Sequence, residues 1–154
     1  MKKIEKIKVD RIFQQPHQKI ELCFWDIKGW SGIWNYIEKV SLLYQDGIIQ
    51  EFVMVVERDG LIENIRTIRF KYGNVIEFFS PSPPPMMENH SGKWIFEKID
   101  TKKTKVIALR EYKLLQKENE TTSDYLKRSH QFKLKFQKRL SQILETFDKY
   151  MMTH

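Results

Sequence analysis

Arg66 is the residue whose neighbours best suit it to chemistry. In the alternating run 63–72, Asn64, Arg66, Ile68, Phe70 and Tyr72 share one face, and Ile65, Thr67, Arg69 and Lys71 share the other. A guanidinium among apolar side chains stays protonated and offers five N–H donors. Such a group could polarise a ketone and stabilise the enolate that forms from it. The plainer reading is a surface arginine, because a buried guanidinium needs water, a ligand or a carboxylate beside it. Trp94 and Phe96 on one run, and Tyr112 on the next, stand at alternating positions. Aromatic residues so placed fill volume first, but on a concave sheet face they also wall a cavity, where the Tyr112 hydroxyl could orient a ligand oxygen.

Other chemistries find little support. The four histidines, His17, His90, His130 and His154, show no metal-ligand spacing such as H-E-x-x-H, so no metal site is expected. His130 lies in a helical stretch between Leu126 and Leu134 beside an aromatic stripe, which makes it a candidate wall residue. His90 sits in a proline-rich segment that could reach a cavity mouth. Cys23, between Leu22 and Phe24, reads as a small buried apolar residue, and one thiol excludes an internal disulfide. Six glycines spread over turns leave no phosphate cradle, and no serine elbow or GxGxxG turn is present.

The scaffold for these residues is one domain spanning residues 1–154, 41% hydrophobic and 13% aromatic, enough for a core without staples. Strand-like runs cover 2–14, 39–45, 48–57, 63–72, 75–80, 94–99 and 105–115, with Asp46-Gly47, Asp59-Gly60 and Gly73-Asn74 as hairpin punctuation. Residues 18–26 and 29–34 read as short helices. Residues 80–92, with four prolines, read as a loop at the mouth of the concave side. Residues 123–151 form a long amphipathic helix: Thr122-Ser123-Asp124 caps it, and Phe132, Phe136, Leu140, Ile143, Phe147 and Tyr150 recur at helical steps. Lys127, Arg128, Lys135, Lys138, Arg139 and Lys149 occupy the opposite face. The expected fold is α+β, a helix-grip: a curved antiparallel sheet of about seven strands wrapped around the long C-terminal helix, with two short helices after the first strand.

Twenty-seven Lys+Arg against 20 Asp+Glu give +7, a balance that admits an acidic partner without selecting one. Nucleic acid is disfavoured because the helical aromatics share the core-facing stripe instead of standing beside the lysines. No apolar leader and no run of about 18 apolar residues is present, so a soluble, cytoplasmic protein is expected.

Trp30-Ser31-Gly32-Ile33-Trp34, then Val40 to Leu43, then Asp46-Gly47 resembles the opening of the polyketide aromatase/cyclases. These belong to the START-like (SRPBCC) helix-grip superfamily, which also includes plant pathogenesis-related ligand binders. Gly92-Lys93-Trp94-Ile95-Phe96 resembles that family's W-x-F/Y strand, and Thr104-Lys105-Val106 through Glu111-Tyr112 resembles the next. The resemblance spans residues 4–150. It implies a deep, mostly apolar cavity that folds and dehydrates a poly-β-keto chain delivered on an acyl carrier protein, with no cofactor. Family members place a polar residue and an arginine two apart on a central strand. The match here is Asn64 and Arg66, with Arg69 as the alternative. The implied site has Arg66 as electrophilic clamp, Asn64 and Tyr112 orienting oxygens, and Trp30, Trp34, Ile68, Phe70, Trp94, Phe96 and His130 as walls. An acidic carrier would dock on Lys135, Lys138 and Arg139. The family's tyrosine falls on Ile37, with Tyr36 beside it, and a second pocket arginine has no clear counterpart. The ungapped match from Trp30 to Gly47 and Arg66 favour a cyclase, whereas the missing tyrosine favours the alternative function, a non-catalytic carrier for an apolar ligand such as a lipid or quinone.

Overall fold

The computed structural model describes residues 4–154. Glu5–Phe13 (β1) is followed by the helix His17–Trp25 (α1) and a 3₁₀ segment, Ile27–Gly32. Six strands come next: Ile37–Gln45 (β2), Ile49–Arg58 (β3), Leu61–Tyr72 (β4), Val75–Ser82 (β5), Met87–Asp100 (β6) and Lys103–Leu114 (β7). The helix Thr122–Thr153 (α2) ends the chain. Lys2 and Lys3, placed in the first strand by the sequence, lie outside the described residues.

All seven strands form one antiparallel sheet in the order β1-β7-β6-β5-β4-β3-β2. The meander follows from its turns. Asp46 Oδ1 accepts the Ile48 and Ile49 backbone N–H groups at 2.7 Å each. Asp59 (φ 53°) and Gly60 (φ 79°) both take positive φ, the backbone of a two-residue hairpin turn whose twist matches its strands. Register shifts in β2 and at Arg66/Ile68 interrupt the ladders, and such bulges bend a sheet. The concave face so produced wraps α2, whose stripe of Leu140, Leu144, Phe147 and Met151 is buried. Thr121, one residue before the expected cap, accepts from Asp124 N at 3.1 Å. Arg11 ties β1 to α2 through Asp148 at 2.7 Å. At the core's centre Phe24 stacks on Phe147 with centroids 4.5 Å apart and meets Trp94 edge-on at 5.0 Å.

The expected loop at 80–92 shrinks to residues 83–86. Pairing between β5 and β6 stops at Phe79–Ser91, so Pro81 has no hydrogen bond to lose on that side. Residues 87–92 instead pair with β7, from Met87–Leu114 to Gly92–Arg110. His90 therefore sits in a strand. Among the described residues no helix is long and apolar enough to cross a membrane.

Candidate ligand cavity

Between the concave sheet and α2 lies a cavity of about 360 Å³, walled mainly by Trp30, Trp34, Phe52, Trp94, Phe136 and Phe147. It reaches solvent where its lining residues Leu61 and Met86 are exposed, beside the β3–β4 turn and the 83–86 loop. Strand alternation decides what faces inward. On β3 the inner set is Gln50, Phe52, Met54 and Val56; cross-strand pairing of Gln50 with Arg69 and Phe52 with Thr67 sets the inner face of β4. Ile65, Thr67 and Arg69 thus point inward.

That parity corrects the expected site. Arg66 lies on the outer face, about half exposed, where its Nε donates to Glu51 Oε2 at 2.6 Å. Asn64 is exposed on the same face, and Ile68 and Phe70 are half-buried there, with Phe70 stacked on Tyr72 at 6.0 Å. A one-residue change of parity moves a whole strand's side chains to the other face. His130 is exposed on α2. Trp30, Trp34 and Trp94 stand on the cavity wall. Phe96 and Tyr112 are buried behind it; the Tyr112 hydroxyl has no hydrogen-bond partner among the described residues, and burial, ahead of Glu5's charge, pushes it up to about 12. Ile37 lines the cavity and Tyr36 is exposed, so no phenol stands where the family has its tyrosine. On α2, Lys135 and Lys138 are exposed, whereas Arg139 lines the cavity. Arg66→Ala is expected to change stability by no more than about 1 kcal/mol, as for exposed ion pairs, and to leave ligand affinity unchanged. A tenfold loss in a binding titration would contradict its outward placement.

Two other arginines face the cavity. Arg69 is anchored on every side. It donates to Phe24 O at 2.8 Å, to Trp25 O at 2.7 Å and to Gln50 Oε1 at 2.6 and 2.9 Å. Phe24 and Trp25 end α1, whose free carbonyls form the negative end of the helix dipole. Burial lowers its pKa to about 9, Asp26 acting in the opposite sense, so it is charged at neutral pH. Arg69 joins β4, β3 and α1.

Arg110 is held differently. Its guanidinium lies between the rings of Phe78 (4.6 Å) and Trp94 (4.4 Å). Gly92, opposite it in register, makes this possible: a Cβ there would stand 2.2 Å from Leu109 O and 2.9 Å from Arg110 Cδ. Its one hydrogen bond among the described residues is from Nη1 to Leu109 O, 2.8 Å. Its Nε and Nη2 have no hydrogen bond among the described residues yet keep some accessible surface, on a residue that lines the cavity. Burial again lowers the pKa to about 9.

His90, two residues from Gly92, contributes to the same wall. The residue is partly exposed, yet both ring nitrogens are covered and unpartnered among the described residues, with Phe78 edge-on at 5.2 Å and Phe136 at 5.8 Å. Burial first, and the Arg110 charge second, push it down to about 3, so it is neutral. Deeper on the sheet, Thr67 and Ser80 place hydroxyls 3.4 Å apart.

Sequence reasoning kept Arg69 only as the alternative to Arg66 and passed over Arg110, though signals for both existed. Glu51 and Glu57 mark the solvent face of β3, and a tight turn at Asp59-Gly60 then pairs Gln50 with Arg69. On β7, Arg110 alternates in phase with Val106, Ala108, Tyr112 and Leu114, all buried.

No family model matches the chain, and no curated protein matches it. Solved structures do. The Zhui aromatase/cyclase from Streptomyces sp. R1128 is 15% identical, with 96% of this chain and 93% of that one covered at a TM-score of 0.79. A START superfamily protein from Mycobacterium smegmatis is 10% identical, covering 90% and 98%, TM-score 0.65. Norcoclaurine synthase from Thalictrum flavum, solved with dopamine and hydroxybenzaldehyde, is 9% identical, covering 99% and 89%, TM-score 0.74. Seven antiparallel strands curved around a long terminal helix, and these overlaps along nearly the whole chain, give this protein the START-like helix-grip fold that the polyketide aromatase/cyclases share.

Proposed function

We propose that this is a polyketide cyclase-like protein that binds a flat, largely apolar molecule of polyketide or aromatic type in the cavity, with a ligand oxygen on Arg110. The observation that carries the reading is a buried guanidinium with a single hydrogen bond among the described residues, 4.6 and 4.4 Å from two aromatic rings and on the wall of an aromatic-lined cavity. Convergent polar groups in a mostly apolar cavity fix a ligand's orientation. Preset donors where a keto oxygen gains charge would stabilise the enolate of an aldol closure. The test is titration of a hydroxyanthraquinone, followed by tryptophan fluorescence. One saturable site is expected, weakened about tenfold or more in Arg110→Met, the usual cost of losing a charged hydrogen bond. Undiminished affinity in a folded Arg110→Met protein would contradict it.

A second reading, a carrier that performs no chemistry, is favoured by the covered nitrogens and low basicity of His90, which leave no ready base beside Arg110. Incubation with a synthetic β-polyketone separates the two. Ring-closed product above the buffer rate supports the cyclase, and unchanged ketone recovered from the complex supports the carrier.

A further inference from the structure

We propose that the cavity selects an apolar monoanion over a neutral molecule of the same shape, its charged oxygen seated on Arg110. The inference rests on the reading of this cavity as a ligand site and adds the ligand's charge. Four arginines and two carboxylates line the cavity. Two of those arginines are held by partners, and a third reaches solvent. The charge of Arg58 pairs with Glu63 at 3.4 Å, although its Nε is buried without a partner among the described residues, and Arg69 makes four hydrogen bonds to carbonyl oxygens. Arg139 is partly exposed on α2. Asp59, the other carboxylate, is exposed in the β3–β4 turn. Arg110 is left charged, 6% exposed and facing no carboxylate within ion-pair distance among the described residues. His90, whose shift Arg110 contributes to, is neutral and adds no charge to balance it.

The ring faces of Phe78 and Trp94 offset part of the cost of burying that charge. Without a ligand, the free donors can be hydrated only by water entering the cavity. A neutral apolar ligand displaces that water and gives little back, which leaves the guanidinium worse solvated. A carboxylate, phenolate or enolate restores short, charge-assisted hydrogen bonds at the same donors and neutralises the site. Discrimination therefore comes as much from penalising the neutral ligand as from attracting the anion.

Two probe pairs test this on the wild-type protein. 2-Naphthoate is compared with its neutral isostere 2-naphthamide by calorimetry. 4-Nitrophenol, whose phenolate absorbs visible light, is titrated with acid free and bound. We expect naphthoate to bind about tenfold or more tighter than the amide, or bound nitrophenol to ionise about one pKa unit or more below its free value. A preference in the first arm alone identifies a carboxylate as the ligand's anion; a shift in the second identifies a phenolate or enolate. Either preference should vanish in Arg110→Met and survive in Arg110→Lys. The amide binding as tightly as naphthoate, with nitrophenol unshifted, would overturn the inference and leave the ligand site standing. Failure of all probes to bind would overturn both.

Discussion

Arg69→Met is expected to destabilise the fold by about 3 kcal/mol. Methionine replaces much of the apolar stem, but the Phe24 carbonyl is left with the Trp30 indole N–H, at 3.1 Å, and Gln50 Oε1 loses two donors in a buried site. Trp25 O keeps only the amide of Gln50, at 3.0 Å. Leaving Gln50 Oε1 unpaired costs about 1–3 kcal/mol, each of the two carbonyls that loses a hydrogen bond adds about 1 kcal/mol, and relief from holding a buried charge returns part of the sum. For a domain of this size the melting temperature should fall by roughly 6–12 °C. Arg110→Met is the control within the same cavity. It removes an equally buried guanidinium with one hydrogen bond, and should leave stability unchanged or raised. Thermal unfolding of both variants decides the matter. An Arg69→Met protein melting with the wild type would mean that Arg69 does not hold α1 to the sheet.

The second large effect is on acid stability. His90 is neutral in the fold with its pKa depressed to about 3 from an ordinary 6.5. Above pH 6.5 folded and unfolded states both carry it uncharged and the group costs nothing. As the pH falls from there towards 3, only the unfolded chain takes up the proton, so stability is lost through that window. The full loss is on the order of 5 kcal/mol, at about 1.4 kcal/mol per pH unit. Arg110 on β7 is the charge facing the ring; Phe78 on β5 and Phe136 on α2 are apolar. Paired carboxylates such as Glu120, held down to about 2 by Arg128, weaken the fold in acid whatever stands at position 90. The informative quantity is the stability difference between wild type and His90→Gln in urea unfolding. It should move in the variant's favour as the pH falls from 7 to 4. A difference that stays constant would mean that the ring is protonated in the fold.

Element order was largely legible in the sequence because local chemistry determines it. Asp46-Gly47, Asp59-Gly60 and Gly73-Asn74 mark hairpins by their own backbone preferences, and the aromatic stripe of α2 repeats at helical period. What failed was the parity of β4. Ile68, Phe70 and Tyr72 are apolar yet face outward, whereas Thr67 and Arg69 face in. Their own strand points to the wrong face; only the pairing partner β3, through Glu51 and Glu57, reveals the right one. The strand around His90 was hidden for a related reason. Four prolines suggest a loop across 80–92, but pairing with β7 supplies partners for residues 87–92 that no local signal announces. Arg110 escaped notice because its setting depends on Gly92, eighteen positions away in sequence and opposite it in the sheet.

The most direct test of the account is a ¹H–¹⁵N NMR titration of the protein with a hydroxyanthraquinone. Binding in the cavity predicts saturable shifts at the Trp30 and Trp94 indole N–H groups and at the backbone amides of Thr67, His90 and Arg110, with Asn64, Arg66 and Ile68 less perturbed. Shifts confined to the outer sheet face, or none that saturate, would contradict it.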